Sequence, residues 1–472
     1  MSPISGNNNP KVAIVGTFMC TFDAILIDAP DVKPDTKLYH NFLFNIKEKM
    51  ASFADVKVYG IVGDEKEAQE MSSRLLKDNV DIIVVVPVAY TLDITTTTLL
   101  QNQKAPIIIF STEILDTLPG NLDFGMAMMY GNVSCIPDVT NGLIKSNIKF
   151  NFMMGQIDEK EIIKELKNII LAAKAIAKLK ASSIGLLGHE YPGMCDLHVD
   201  IKKLEKEFGI NFLNIDYDEI YDAFDKVQKA EVEKLKLNLK KYNLGKIENG
   251  PLERSLKLVK VFQNISEKYQ LDSLAQLCSP IISNKRIGVV PCYGLAVLNE
   301  KGVNVTCEYD IGTAIILIIL RAITGDAFFT EYYVNDVKKN YILCAHCGFG
   351  NLSFIEDKKK VNIVSNPCFP GVMGDGISLE FALPKGIYTM ADFVMNNNKI
   401  IIHASEVEVV DDKPFPMGVP QMKLRFKNQD KRVAFKKWVE LGGVHHFAVT
   451  KENITGILQK VADMLGIEFY LV

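Results

Sequence analysis

Apolar and polar positions change rhythm twice along this chain. In the first part, short apolar runs alternate with amphipathic stretches. The runs are KVAIVGTF from Lys11, VKVYGIVG from Val56, DIIVVVPVA from Asp81 and APIIIFSTE from Ala105. Runs that stay apolar throughout fit strands buried on both faces. Between them, DEKEAQEMSSRLLKDN has helical periodicity, with Asp64 placed to cap it. This alternation predicts a parallel, doubly wound α/β domain over 1–157.

A long helix is expected to open at Asp158, where Asp158 and Glu161 have capping-box spacing, and to end near Ser182. A second alternation follows. It comprises SIGLLG, a helix after Asp196, INFLNID, charged helices around 219–245 and 251–269, and RIGVVPC as a late strand. The greasy run IGTAIILIILRAI from Ile311 closes it. That run falls short of the roughly 18 apolar residues of a membrane span and reads as a buried helix. A second Rossmann-like α/β domain is therefore expected over 158–326.

From about Phe328 the rhythm shortens. FFTEYYVN, NYILCAH, VNIVSN, ISLEFALP, KIIIHASEVEVV and MKLRF are separated by turns rich in Lys, Asp, Asn, Gly and Pro. These predict an antiparallel β-rich C-terminal domain over 327–472, ending in a helix from about Glu452 and the strand IEFYLV. The fold class is thus α/β: two doubly wound Rossmann-like α/β domains followed by the β-rich one.

Composition sharpens this only slightly. At roughly 150 residues per domain, the 472 residues suggest about three domains, and 48% of them are apolar. The net charge of −4, with acids and bases interspersed, makes neither nucleic acid nor an anionic membrane an expected partner. The first residues, MSPISGNNNPK, are polar and lack the apolar core of a secretory signal, so a cytoplasmic protein is expected. Nine scattered cysteines are then expected to be reduced and structural.

Three stretches carry candidate chemistry. In YILCAHCGFGN, Cys344 and Cys347 bracket His346. A structural zinc site usually needs four thiolate or imidazole ligands, often in paired clusters, and no second CxxC or HxxxH occurs. A redox CxxC normally opens a helix, whereas this one ends an expected strand. If Val337–Asn340 form a hairpin loop, Asp336 faces Tyr341 and Glu331 falls opposite His346. Such opposed residues have β-carbons about 5 Å apart, close enough to share a divalent cation or to form an ordinary ion pair. In NVTCEYDIG, Glu308 and Asp310 stand where a strand gives way to the apolar helix, either as caps or as partly buried carboxylates. In GGVHHFAV, the adjacent His445 and His446 follow a Gly-Gly turn, either as metal or sugar contacts or as plain loop residues.

Together, CEYDIGTA, the FFTEYY…HCGFGN hairpin and GGVHHFAV, in this order and spacing, resemble the L-arabinose isomerase and L-fucose isomerase superfamily, closer to the arabinose branch. CYGLAVLNEKGVNVTCEYD is similar to the family's approach to its first metal ligand, and YTLDITTTTLLQNQKAPIIIFSTE to an N-terminal strand–helix–strand. The resemblance implies metal ligands at Glu308, Glu331, His346 and His446, with Glu308 and Glu331 also the catalytic acid/base pair. Two carboxylates and two imidazoles suit Mn²⁺, with Co²⁺, Mg²⁺ or Fe²⁺ as alternatives. The implied activity is aldose–ketose isomerisation of a pentose or deoxyhexose through an enediol. The implied assembly is a homotrimer or homohexamer with active sites at subunit interfaces. Candidate sugar contacts are His445, Phe18, Tyr90, Ser134 and Met194. A neighbour's loops, Thr17–Asp23, Tyr90–Ile94 and Tyr130–Asp138, would complete each site. The chain departs from the family in two of these loops. TFMCTFD stands where the family carries a Gln-His-Leu-Tyr-like segment, and YGNVSCIPD lacks a histidine. These changes leave the metal chemistry alone but alter the sugar-recognising wall. They keep open a second reading, a non-catalytic sugar-binding or sensory relative.

Overall fold

The computed structural model describes residues 10–19, 35–367, 374–427 and 429–472. The chain forms two compact units, Ser5–Lys174 and Ala175–Val472.

The first unit is built on a five-stranded sheet of β1 (Lys11–Thr17), β2 (Asp55–Val62), β3 (Ile82–Pro87), β4 (Ile107–Ser111) and β5 (Asn151–Met154). The order is β2-β1-β3-β4-β5 and every pair is parallel. β3 and β4 are buried along their whole length, as their unbroken apolar runs require. Asp64 caps the helix Glu65–Asp78, its side chain accepting the Glu67 N–H at 2.8 Å. The next long helix departs slightly from expectation. It begins at Lys160, and Glu159, rather than Glu161, folds back to accept the Gln156 N–H at 2.7 Å.

The second unit combines two sheets. β6 (Ser183–Leu187), β7 (Asn211–Ile215), β9 (Ser273–Gln276) and β10 (Asn304–Thr306) make a parallel sheet in the order β10-β9-β6-β7. The expected strand RIGVVPC does not form. Gly288 takes a φ of +57°, Val289 makes one isolated bridge to Asp375, and Pro291 starts the helix Cys292–Glu300. A left-handed residue followed by a proline that cannot donate breaks any ladder there.

The other sheet has ten strands. It contains β8 (Asn243–Leu244), β11 (Phe328–Asp336), β12 (Tyr341–Ala345), β13 (Asn362–Ser365), β14 (Ile377–Ala382), β15 (Gly386–Asn396), β16 (Lys399–Val409), β17 (Pro420–Phe426), β18 (His446–Lys451) and β19 (Glu468–Leu471). The order is β19-β16-β15-β18-β11-β12-β17-β14-β13-β8, largely antiparallel, with parallel pairs β16–β19, β14–β17 and β13–β8. β16 also pairs with β17, which closes six of the strands into a barrel. Sequence periodicity misses β15 and β18 because both are buried nearly throughout and show no alternation. It also misses the helix Lys431–Glu440, and the last helix starts at Thr455 rather than Glu452.

The helix Ile311–Thr324 explains its own composition. All ten residues from Ile311 to Leu320 are buried. The helix packs on β9 and β10 of the parallel sheet and on β11, β15 and β18 of the barrel. An element covered on both sides must be apolar all round. Among the described residues, no helix is long and apolar enough to cross a membrane.

Candidate metal centre

β10 ends at Thr306, and the chain turns sharply through Glu308 before entering the helix at Ile311. Glu308 and Tyr309 both lie in the left-handed region, with φ of 59° and 63°. Consecutive non-glycine residues there cost about 1–3 kcal/mol each and persist only when held. They are held: Tyr309 N donates to Gln276 O at 3.1 Å, Asp310 N to Cys307 O at 3.1 Å, and Thr306 Oγ1 to Asp310 O at 2.7 Å. The turn presents Glu308 at the carboxyl end of a parallel sheet, where open α/β sheets place their ligands.

Glu331 lies on β11, between two partner strands. The expected pairing with His346 is not observed. Glu331 opposes Ala345 on β12, because Tyr333 is an extra, bulged residue between Tyr332 and Val334. On its other side Glu331 pairs with His446 of β18. The Asp336–Tyr341 pairing at the hairpin end is as expected. His346 is the first residue past β12. Its turn is glycine-dependent, since a β-carbon on Gly348 would lie 2.1 Å from Ser378 Oγ.

Five side chains converge. His446 Nε2 lies 3.4 Å from Glu308 Oε2 and 3.9 Å from Glu331 Oε2, and His346 Nε2 lies 3.7 Å from Glu331 Oε1. His445 Nε2 lies 3.7 Å from Glu308 and 4.0 Å from Glu331. These separations exceed hydrogen-bond length. Accordingly Glu308 Oε2, both ring nitrogens of His346, His445 Nε2 and His446 Nε2 are buried without hydrogen-bond partners. Buried polar atoms left unpaired are costly, and four of these, one from each of Glu308, His346, His445 and His446, converge on a place for a ligand. Bonds of about 2.1 Å separate neighbouring ligands on one ion by about 3 Å and opposite ones by about 4.2 Å. The observed spacings lie in that interval, so the residues fit a divalent cation. The ligand atoms of Glu331, His346 and His446, and separately those of Glu308, His445 and His446, lie within 4.8 Å of one another.

Two carboxylates behind the site orient its imidazoles. Asp310 Oδ2 lies 3.0 Å from His446 Nδ1, and its other oxygen caps the helix by accepting Thr313 N–H at 2.8 Å. A carboxylate at Nδ1 fixes the proton there and turns the Nε2 lone pair into the site. Asp196 Oδ2 lies 2.6 Å from His445 Nδ1 and orients that ring. Phe329, on the same face of β11 as Glu331, packs against both inner imidazoles, with ring centroids 4.6 Å from His346 and 4.8 Å from His446.

The electrostatics separate the groups. Burial pushes the His346 imidazole down to about 3, aided by neighbouring His446, so it stays neutral and able to bind a cation. Burial lowers the His445 imidazole too, but the Glu308 and Asp196 carboxylates outweigh this and lift it to about 9. Burial also raises both carboxyls. For Glu331 that effect prevails and leaves it above the usual range; for Glu308 the surrounding imidazoles reverse it and hold it below.

Cys344 and Cys347 take no part. Burial pushes both thiols well above their ordinary value, and both are free. Among the described residues, no cysteine joins a metal-binding group. Met194 lies just before the short turn Cys195–Leu197 that carries Asp196. Phe18, Tyr90 and Ser134 belong to the first unit. There Phe18 is buried and packs on Tyr39 with ring centroids 6.0 Å apart, Tyr90 is half-buried, and Ser134 is exposed. Residues 20–23 of the expected Thr17–Asp23 loop lie outside the described residues. Sequence reasoning noted Asp310 as a cap or a partly buried carboxylate but not as a partner of His446, and it missed the part of Asp196, which nothing in MCDLHV marks.

A buried set of carboxylates and imidazoles, at the end of a parallel sheet and the flank of a β-barrel, forms a candidate enzyme site whose spacing fits a divalent cation. Comparisons with known proteins point to sugar isomerases. Residues 326–468 match the family described as L-arabinose isomerase C-terminal domain. The chain is 22% identical over 431 residues to a sulfoquinovose isomerase of Priestia megaterium, covering 86% of this chain and 89% of the relative. It is 24% identical to L-arabinose isomerase 2 of Clostridium acetobutylicum, over 78% of this chain and 77% of the relative. It is 22% identical to an L-arabinose isomerase of Aeromonas hydrophila, over 79% and 77%. The match over residues 326–468 and the similarity to these isomerases support an arabinose isomerase-like family.

Proposed function

We propose that this protein is a metal-dependent aldose–ketose isomerase in which Glu308, Glu331, His346 and His446 hold a divalent cation, Mn²⁺ by preference. The observation that carries this reading is the set of four buried, unpartnered polar atoms, Glu308 Oε2 and the Nε2 atoms of His346, His445 and His446, gathered around Glu308 and Glu331. The named relatives, all sugar isomerases, support the reaction class. A pentose or 6-deoxyhexose is the first substrate class to try, with sulfoquinovose beside it because one relative carries that name.

Isomerisation moves a proton between C1 and C2 while O1 and O2 exchange oxidation level. A bound divalent cation supplies Lewis-acid polarisation of the sugar oxygens. The chain's own carboxylates do the proton work. Glu308 and Glu331 are placed to take and return the proton, with Glu308 the more readily ionised of the two. Both side chains are about four-fifths buried, at 20% and 18% exposure, which limits proton loss to water. Asp310 and Asp196 keep the histidine rings turned inward throughout.

The test uses Mn²⁺-loaded protein and a panel of pentoses, 6-deoxyhexoses, hexoses and sulfoquinovose in D₂O. Ketose formation with exchange at C2 is expected for at least one sugar. Binding without exchange would instead favour a non-catalytic sugar-binding relative, and neither binding nor exchange would overturn both. We further propose a homotrimer or homohexamer in which Tyr90 and Ser134 face a neighbour's sugar while His445 and Met194 face their own; Phe18, buried against Tyr39, backs that wall from inside its own unit. A monomeric mass in solution at assay concentration would overturn that.

A further inference from the structure

The turn that delivers His445 and His446 is bonded at every residue by groups that never approach the metal site. His403 Nε2 faces Leu441 O at 3.2 Å, and Asn396 Nδ2 donates to Gly442 O at 3.1 Å. Gly443 N donates to Trp438 O at 2.9 Å. Val444 N donates to Asp392 Oδ2 at 3.2 Å, and Trp438 Nε1 donates to Val444 O at 3.0 Å. Asp392 and His403 are cross-strand partners on β15 and β16, both fully buried, with Oδ1 and Nδ1 2.7 Å apart. The same Oδ1 accepts the His403 backbone N–H at 3.1 Å.

A fully buried carboxylate–imidazole pair is weak evidence for stability, because desolvation offsets much of its attraction. Burying a charge-bearing pair calls for another reason, and its connections supply one. Each member of the pair spends its remaining hydrogen bond on the turn: Asp392 on Val444, His403 on Leu441. Trp438 packs against His403, ring centroids 5.5 Å apart and tilted by 48°, and closes the set. The glycines are dictated by the same packing. Gly442 has φ +84°, and a β-carbon on Gly443 would lie 2.4 Å from Trp438 Nε1.

We propose that Asp392, His403 and Trp438 form a buried polar clamp that positions the turn carrying His445 and His446, and with it His446 for cation binding. They are positioning residues, acting through the backbone two residues before His446. The proposal rests on the metal-site reading above and extends it to residues that touch no ligand atom.

The test is direct titration of the metal-free full chain with Mn²⁺, read by the EPR signal of the free ion, together with the absorption spectrum of the Co²⁺-loaded protein. Variants are Asp392→Asn, His403→Gln and Trp438→Phe, each checked for folding by circular dichroism. Outer-shell partners of metal ligands typically govern affinity by about 10–100-fold. Each folded variant should bind Mn²⁺ about tenfold more weakly and give an altered Co²⁺ spectrum, neither of which follows from lost global stability alone. Wild-type affinity and spectrum in the folded variants would overturn the clamp while leaving the metal site standing. Absence of binding by the wild type would overturn the metal site itself. Should Asp392→Asn fail to fold, Trp438→Phe, which keeps an aromatic ring while removing the donor to Val444 and part of the ring volume, decides the matter together with His403→Gln.

Discussion

Glu331 pairs across the sheet with His446, not with His346. One bulged residue, Tyr333, makes the difference. Without it a simple hairpin count puts Glu331 opposite His346 on one two-stranded face. With it, Glu331 sits between the two histidines, 3.7 Å from one and 3.9 Å from the other. The carboxylate thereby joins both strands in one site.

Glu308→Gln and Glu331→Gln should each abolish turnover with the fold intact. Loss of a catalytic acid or base costs about 10²–10⁴-fold in rate, and the missing charge weakens cation binding as well. Exchange of the C2 proton in D₂O, measured on folded, Mn²⁺-saturated protein, is the readout. Near-normal exchange in either variant would show that glutamate to be a bystander.

Asp310→Asn should separate the two jobs of that residue. Asparagine caps helices as well as aspartate does, so the Thr313 N–H keeps its acceptor and thermal stability should barely move. The new amide group, however, can offer a donor to His446 Nδ1, which favours the tautomer with its proton on Nε2. Mn²⁺ affinity should fall about 10–100-fold. A calorimetric titration giving wild-type affinity would contradict the orienting role.

Replacing Cys344 and Cys347 together by alanine should leave metal stoichiometry unchanged. Both thiols are buried and protonated, so the cost is packing alone, about 1 kcal/mol or somewhat more for each truncated side chain. Metal analysis of the purified double variant settles it. Loss of bound metal would revive a thiolate site.

Gly443→Ala should be destabilising out of proportion to its size. The added β-carbon would meet Trp438 at 2.4–2.6 Å, and overpacking of a closed core costs about 1–3 kcal/mol. Trp438 is the only tryptophan in the chain, so its fluorescence should shift in the variant as the indole is displaced. An unchanged melting temperature and emission would mean that the turn is looser than its contacts indicate.

The sequence by itself determined the element types and their order wherever periodicity was clean. The continuous runs at Ile82 and Ile107 became buried parallel strands, and Asp64 and Asp310 became caps. The apolar helix at Ile311 is buried all round, as its composition demanded. Local signals also marked the residues of the site, because Glu308, Glu331, His346, His445 and His446 sit in unusual local contexts. What sequence could not determine was which of them meet, and through what. The bulge at Tyr333, the left-handed turn at Glu308 and Tyr309, and the Asp196–His445 contact join residues far apart in the chain or depend on backbone angles that their side chains do not favour. β15 and β18 were illegible for a related reason: closing a barrel under a helix buries both faces of a strand and erases the alternation that would announce it. Periodicity records burial against an element's immediate surroundings. The candidate site is made by packing between distant elements, and only the tertiary structure decides that.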